Sequence, residues 1–361
     1  MDLAAHGTDQ FQVKKYLLYV SNLYAFAIVR PLQAEILKQK GIVAWFLADK
    51  KFGSWLKKEE QLLETVAAVM AFEPDVVFVA SNVVPDFFPG IKVQLFHGFN
   101  AQKRDASQGH FNIRGFFDLY CTQGPSTTVP FKALEKKYGH FKVVETGWTK
   151  VDPLFDEGDE YLSSRLAPDP RPVVLFTSTF TPALSAAHRV YDTIAAMMHQ
   201  KKWRWIITLH PKMDRAVTLK FKQLCHACQS QFYGGDNVIP LLKQADVMLS
   251  DTSSIISEFI LQKKPVVTFC NRMPGDHLIN VTFDEDIEQA IEHALTRPAS
   301  LMSAIDRYIA DLHPYDDGRS SARVLAAVDD FLKNEKGKLR RKPLNLVRRI
   351  KMRLKYRYYR Y

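Results

Sequence analysis

The chain has 361 residues, of which 47% are hydrophobic and 24% are charged. This is a globular composition, and the length exceeds the roughly 250–300 residues that a single hydrophobic core supports. The net charge of +10 is unevenly placed: residues 336–361 hold twelve Lys or Arg and no acid, so the rest of the chain carries −2. A uniformly basic body is therefore excluded.

The first residues are polar, and the cysteines are few. Residues 1–15 lack the apolar core of a signal peptide, and no apolar run reaches the roughly 20 residues that span a bilayer, so we expect a cytoplasmic protein. Four cysteines are too few for a disulfide scaffold in a chain of this length. Cys225 and Cys228 lack the second close pair that a zinc ribbon needs, so we expect no metal site.

The first half of the chain is predicted to form strands that alternate with helices. A helix pattern over 24–41 follows the first strand. Near-continuous apolar runs of this kind are typical of a parallel sheet that helices cover on both faces. The predicted strands are 14–20, 42–48, 75–81, 92–98, 118–124 and 142–147.

The same pattern restarts in the second half, where a helix is predicted at 183–200. The intervening segment 156–172 is rich in acids, prolines and polar residues, as linkers are. We therefore predict a domain at 1–160, a second domain at 161–335 and a basic tail at 336–361. The predicted strands of the second domain are 172–178, 204–210, 237–243, 245–250 and 264–269.

Both series predict an α/β fold with two Rossmann-like domains that face a cleft. In open α/β sheets, ligands bind beyond the carboxyl ends of the strands. Lys103 and Arg104 follow the first of the motifs at these ends. The motifs are His97-Gly98, His210-Pro211-Lys212 and Asp251-Thr252-Ser253-Ser254.

The stretch 251–254 allows two interpretations. Free backbone N–H groups and the helix dipole at such a junction favour an anion, usually a phosphate. Alternatively, Asp251 or Thr252 only caps the helix, and Glu258 faces solvent in its second turn. The chain contains no G-x-G-x-x-G, Walker A or G-x-S-x-G motif, which argues against a dinucleotide oxidoreductase, a P-loop nucleotidase and a serine hydrolase.

Five motifs occur in order over about residues 90–325. They are His97-Gly98, Gly147-Trp148-Thr149-Lys150-Val151-Asp152, Leu209-His210-Pro211, Asp251-Thr252-Ser253-Ser254 with Glu258, and Asp317-Gly318-Arg319-Ser320-Ser321-Ala322-Arg323. This series resembles the CDP-glycerol glycerophosphotransferases of teichoic acid synthesis, whose patterns are H-G, G-x-P-R-x-D, L-H-P, D-Y-S-S-x-x-x-D and D-G-K-x-S-x-R. The chain departs from them at Thr149-Lys150, Thr252 and Glu258, while Lys150 and Arg319 keep the positive charge.

The resemblance implies a GT-B-type fold and a reaction that needs neither cofactor nor metal. An alditol phosphate would pass from a CDP-activated donor to a hydroxyl of a cell-surface polymer or lipid-linked glycan, releasing CMP. It implies His97 as general base and His210 as an acid or hydrogen-bond donor to the pyrophosphate. Ser253 and Ser254 would cradle the donor phosphates, and Glu258 would bind hydroxyls. The remaining donor-binding residues are Gly98, Lys150, Asp152, Lys212, Asp251, Thr252, Arg319 and Ser320.

The basic tail has an apolar stripe. Leu346, Val347, Ile350, Leu354 and Tyr358 follow helical spacing, and Arg and Lys fill the other faces. Such a helix suits an anionic membrane surface, so we expect a peripheral protein on the inner face of the cell membrane. A nucleic-acid arm is the alternative, but an electrostatic arm has no use for the stripe.

Other functions fit the same pattern. A GT-B glycosyltransferase or a nucleotide-sugar epimerase would show a similar spacing from Asp251 to Glu258. The non-enzyme alternative is a nucleic-acid-binding protein that acts through the tail. The residues do not distinguish glycerol from ribitol, nor one acceptor from another.

Overall fold

Two parallel sheets organise the molecule. The computed structural model describes residues 13–99, 111–156, 169–235 and 237–359, and within these ranges the strands form two six-stranded sheets. All pairings between these strands are parallel. The predicted α/β fold with two parallel-sheet domains is confirmed. Lys103, Arg104 and most of the predicted linker at 156–172 lie outside the described residues.

The first sheet is built from the first half of the chain. Its strands are β1 Lys15–Val20, β2 Ile42–Leu47, β3 Val76–Val79, β4 Ile91–Gln94, β5 Leu119–Thr122 and β6 Lys142–Glu145. They lie side by side in the order β2-β1-β3-β4-β5-β6. Both faces are buried, as Leu17 and Leu18 in β1 illustrate, because helices cover both faces. The helices of this half are α1 Tyr24–Lys38, α2 Val66–Phe72 and α3 Pro125–Tyr138.

The second sheet follows the same plan. Its strands are β7 Val173–Ser178, β8 Arg204–Leu209, β9 Gln231–Phe232, β10 Val247–Ser250, β11 Val266–Phe269 and β12 Ile279–Val281. The order β12-β11-β10-β7-β8-β9 reverses direction between β7 and β10, which is where open α/β sheets bind ligands. The helices here are α4 Tyr191–Gln200, α5 Arg215–Ala227, α6 Ile239–Gln244, α7 Ile255–Ile260 and α8 Ile287–Leu295.

One predicted strand is wrong. Residues 237–243 contain most of α6, which begins at Ile239, rather than a strand. Pro240 lies in the first helical turn, where its missing N–H costs nothing, and the side chain of Asn237 accepts the N–H of Ile239 at 3.2 Å. The helix predicted at 183–200 begins only at residue 191, and the short strands β9 and β12 were not predicted.

Two helices near the end of the sequence return to the first half. Helices α9 Ala299–Leu312 and α10 Ser320–Asp330 pack against α3 and α1, respectively. Lys14, just before β1, pairs with Asp329 at 2.6 Å. The chain therefore crosses back after completing the second sheet, and these helices connect the two halves.

The basic tail packs on the first half. Its helix α11 Leu346–Tyr356 buries Met352, and the hydroxyl of Tyr356 lies 2.9 Å from that of Tyr19 in β1. Arg349 and Arg353 pair with Asp86. The predicted amphipathic helix exists, and one of its faces is part of the protein core. Tyr358, predicted for the apolar stripe, lies beyond the end of α11 and stacks on Phe87 with 4.4 Å between ring centroids.

Candidate active site

His97 lies beyond the carboxyl end of β4. Its ring stacks on Tyr24, which begins α1, with 5.2 Å between ring centroids. Phe96 has a φ of +58°, a left-handed conformation that non-glycine residues rarely adopt, so the backbone turns sharply before His97. A Cβ placed on Gly98 would meet no atom within 4 Å. A ligand can therefore approach this turn closely.

His210 lies at the carboxyl end of β8 and is exposed. Its Nδ1 accepts the backbone N–H of Lys212 at 3.0 Å, which leaves Nε2 to carry the proton of the neutral ring. Partial burial, followed by the charge of Lys212, lowers the pKa of His210. The ring packs on Phe180 at 4.4 Å, and the ammonium of Lys212 lies 5.6 Å from the same aromatic ring. The arrangement presents a neutral N–H donor beside a cation.

Asp251 is completely buried at the point where the second sheet reverses direction. Its carboxylate accepts the hydroxyl of Ser178 at 2.6 Å and the N–H groups of Thr179 and Ala186 at 3.0 and 3.1 Å. Burial raises the pKa of Asp251, and these donors oppose part of that rise. The side chain ties the end of β10 to the loop after β7, and it does not cap α7.

The three hydroxyls after Asp251 have different environments. The Thr252 hydroxyl accepts the backbone N–H of Arg272 at 3.2 Å. Ser253 is half-buried, and Ser254 is exposed at the N-cap position of α7 without a side-chain cap bond. Because α7 has only six residues, its dipole is modest, and any anion held here relies mainly on hydroxyls and backbone N–H groups.

Lys150 and Glu258 form an ion pair between the two halves. The Nζ of Lys150 lies 2.5 Å from Oε1 of Glu258 and 5.2 Å from the ring of Trp148. Lys150 follows β6 and Glu258 lies in α7, after β10. The carboxyl ends of the two sheets therefore meet at this contact, and two predicted donor-binding residues bind each other.

Asp152 and Ser320, which were both predicted to bind the donor, form a second contact with each other. The Asp152 carboxylate accepts the backbone N–H groups of Ser320 and Ser321 at 2.9 and 2.7 Å, which caps α10. Burial raises the pKa of Asp152 despite these bonds. Gly147 has a φ of +80°, and a Cβ there would lie 2.4 Å from the Ser320 hydroxyl. We call the contact of Asp152 with Ser320 and Ser321 the clasp, and Arg319 is exposed beside it.

Sequence reasoning missed His313. This residue is 1% exposed, and its Nε2 accepts the backbone N–H of Trp148 at 3.0 Å. Burial lowers the pKa of His313 to about 4, so the ring is neutral at physiological pH. Leu312-His313-Pro314 is a second L-H-P sequence, and this repeat of Leu209-His210-Pro211 was the available signal.

The matches to curated proteins are teichoic acid enzymes. The chain is 24% identical over 266 residues to the teichoic acid ribitol-phosphate polymerase TarL of Staphylococcus aureus (strain NCTC 8325 / PS 47), which covers 64% of this chain and 46% of TarL. It is 22% identical over 130 residues to the teichoic acid glycerol-phosphate primase of Bacillus subtilis (strain 168), which covers 36% of this chain and 33% of the primase. The match thus spans about half or less of each relative.

Solved structures share the fold. The wall teichoic acid polymerase TagF superposes with a TM-score of 0.63 at 12% identity, over 90% of each chain. A putative UDP-N-acetylglucosamine 2-epimerase from Listeria monocytogenes superposes with a TM-score of 0.62 at 14% identity, over 89% of this chain and 97% of that one. At these identities the likeness shows the fold alone, which is GT-B-like.

A family model described as UDP-N-acetylglucosamine 2-epimerase matches residues 132–329, more than half of the chain. The matched region contains the second sheet and the clasp at Asp152, and it leaves His97 outside. The resemblance to teichoic acid transferases is supported in part, by the polymerases and the primase described above. The chain belongs to the UDP-N-acetylglucosamine 2-epimerase family.

Proposed function

We propose that the protein transfers an alditol phosphate, such as glycerol phosphate, from a CDP-activated donor to a hydroxyl of a cell-surface polymer or lipid-linked glycan. The observation that carries the proposal is His210, a neutral Nε2–H donor beside Lys212 at the carboxyl edge of the second sheet. The teichoic acid polymerases among the relatives support the same donor class. We assign the donor to the second half and the acceptor to the first.

The reaction follows from these positions. A ring nitrogen of His97 takes the proton of the acceptor hydroxyl, whose oxygen then attacks the alditol phosphorus. The new O–P bond forms as the pyrophosphate P–O bond breaks, and the leaving CMP carries away the electron pair. His210, Lys212 and the hydroxyls of Ser253 and Ser254 stabilise the charge on the phosphate oxygens. Arg319, exposed beside the clasp, is a further cation for the donor.

Epimerisation of a nucleotide sugar is the second candidate, and the matched family model favours it. A carboxylate that abstracts a proton from a sugar carbon has to be accessible to the sugar. Among the described residues predicted for the site, Asp152 and Asp251 are held by protein donors, and Glu258 pairs with Lys150. The accessible groups are histidines and hydroxyls, which suit phosphate transfer better.

Product analysis separates the two candidates. The protein is incubated with CDP-glycerol, CDP-ribitol or UDP-N-acetylglucosamine, with and without a hydroxyl acceptor. The proposal expects CMP release from a CDP-alditol that depends on the acceptor and is lost in His97→Ala. Conversion of the UDP-sugar to its 2-epimer, with no CMP from either CDP-alditol, would establish the second candidate instead.

We also propose that α11 docks on an anionic membrane. Four apolar residues on its outer face are more than half exposed, namely Leu346, Val347, Ile350 and Leu354. Met352 and Tyr356 occupy the opposite face against the first sheet. Lys351, Lys355 and Arg348 flank the apolar face, and their positive charge complements anionic headgroups. Among the described helices, none is long and apolar enough to cross a bilayer.

Substitution tests this docking better than truncation, because the inner face of α11 supports the fold. The variant Ile350→Ser with Leu354→Ser keeps every cation. The matched control is Val129→Ser with Leu219→Ser, two exposed apolar residues on α3 and α5. Sedimentation with phosphatidylglycerol vesicles should fall several-fold in the first variant alone. Equal sedimentation of both variants and the parent protein would refute membrane docking by α11.

A further inference from the structure

A cavity of about 400 Å³ lies at the amino-terminal edge of the first sheet, opposite the edge that holds His97. Lys92, Asp118 and His140 line one wall, at or just before the amino ends of β4, β5 and β6. The other wall comes from the segment 331–342, which leads to α11. The cavity therefore joins the sheet to the basic tail and is separate from the candidate active site.

The described lining is strongly positive. Four cations, Lys92, Lys336, Arg340 and Lys342, face one acid, Asp118. That acid is already engaged, since it accepts Nζ of Lys342 at 2.7 Å and the backbone N–H of Lys92 at 2.8 Å. An excess of three positive charges remains around the cavity.

Two of the lining groups are buried and incompletely compensated. His140 is 5% exposed, and its Nε2 has no hydrogen-bond partner among the described residues. The ammonium of Lys92 is also buried, and it donates to the carbonyls of Phe88 and Gly90 at 2.5 and 2.7 Å. Burial lowers the pKa of Lys92 to about 8 and also lowers that of Lys342. Buried like charges are costly unless an anion accompanies them.

We propose that this cavity binds a phosphate group, supplied either by a soluble phosphate compound or by a phospholipid headgroup. A phosphate carries up to two charges and several acceptor oxygens, which matches the excess charge and the ammonium and guanidinium donors of the lining. Arg340 adds a guanidinium, which recognises phosphate in a bidentate manner. The bound phosphate bridges the sheet and the tail, so it holds α11 against the first half.

Paired variants in one segment test the site. The cavity variant is Lys336→Ser with Arg340→Ser, and the control is Lys338→Ser with Arg341→Ser. Both remove two cations from the same exposed stretch, but only the first pair lines the cavity. All proteins carry His210→Ala, which weakens any phosphate binding at the cleft. The outcome then does not depend on which reaction the cleft catalyses.

The first arm measures inorganic pyrophosphate binding by calorimetry. The parent and control proteins should bind alike, and the cavity variant should bind at least tenfold more weakly. Equal weakening in both variants would show general charge attraction and overturn the proposal.

The second arm uses phosphatidylglycerol vesicles, with phosphatidylcholine vesicles as the neutral reference. If pyrophosphate does not bind, but the cavity variant sediments with the anionic vesicles several-fold less than the control variant does, the phosphate is a headgroup. If pyrophosphate does not bind and both variants sediment alike, the cavity is not a phosphate site.

Discussion

The acids and the histidines of the candidate site lie in contrasting environments. Asp152 and Asp251 are buried, and their carboxylates accept hydrogen bonds from protein groups. Glu258 pairs with Lys150 across the two halves. His97 and His210 pack against aromatic rings at the carboxyl ends of strands, and each belongs to a different half. The acids therefore serve the structure, Asp251 within the second half and the other two between the halves, and we propose that the histidines react in the cleft.

Motifs that are equally prominent in the sequence therefore have different roles in the structure. The G-W-T-K-V-D and D-G-R-S segments meet each other, because the carboxylate of the first caps the helix of the second. Their joint presence in a sequence is explained by this clasp without a ligand. Substitutions distinguish residues that assemble the site from residues that react in it.

The largest effect is expected for His97→Ala. Loss of a general base typically lowers turnover by ~10²–10⁴-fold. The thermal midpoint should stay close to that of the parent protein, because the half-buried ring packs at an open edge. CMP release and a thermal melt measure the two effects, with the exposed His226→Ala in α5 as control. More than a tenth of parental turnover in His97→Ala would remove this residue from the reacting group.

Asp251→Ala should lower the stability of the fold, in contrast to His97→Ala, which should lower turnover. The substitution leaves the Ser178 hydroxyl and the N–H groups of Thr179 and Ala186 without their acceptor in a buried place. We expect a loss of about 3–5 kcal/mol in the free energy of unfolding, measured by urea titration. The exposed Asp311→Ala in α9 should change it by less than about 0.5 kcal/mol. Similar stabilities for the two variants would contradict a structural role for Asp251.

His313 should make stability depend on pH. Its pKa is about 4 in the folded protein and near 6.5 when unfolded, so between these values the unfolded chain binds the additional proton. Stability therefore falls as pH decreases from 6.5 to 4, by at most about 3 kcal/mol from this residue.

Urea titrations at several pH values measure the effect. His313→Gln keeps an acceptor for the N–H of Trp148 but does not titrate, so its stability should vary less with pH over this window. His226→Gln should preserve the slope of the parent. An unchanged slope in His313→Gln would show that other groups cause the pH dependence.

The smallest effects are expected at Ser253 and Ser254. Each hydroxyl contributes about 0.5–1.5 kcal/mol if it binds a donor phosphate, which corresponds to roughly two- to tenfold weaker CDP-alditol binding after substitution by alanine. Unfolding should be little affected, since neither side chain caps α7. Unchanged donor affinity in both variants would leave the hydroxyls without a role in binding.

The pattern of apolar residues predicted the strands well where the apolar runs were long. The buried runs of β1 and β7 were predicted correctly as strands, because a strand with helices on both faces is apolar on both sides. The apolar run at 237–243 was ambiguous, and it forms a helix in which Pro240 occupies the first turn and Asn237, just before the helix, accepts the N–H of Ile239. The strands β9 and β12 have two and three residues, too few for any period to show.

The candidate site was predictable in its positions but not in its partners. The location of His97 and His210 follows from strand ends, which a sequence displays. That Lys150 binds Glu258, or that Asp152 caps a helix far along the chain, depends on how the two halves dock. The inner face of α11 was missed for the same reason, since Met352 and Tyr356 find their partners only in the first sheet.

Acceptor-dependent CMP release is the most direct test of the proposed chemistry. The parent protein, His97→Ala and His226→Ala would each be given CDP-glycerol or CDP-ribitol with a hydroxyl acceptor. We expect CMP from at least one donor with the parent and with His226→Ala, and at least a hundredfold less with His97→Ala. Equal CMP release by all three proteins, or none from either donor while UDP-N-acetylglucosamine is converted, would contradict it.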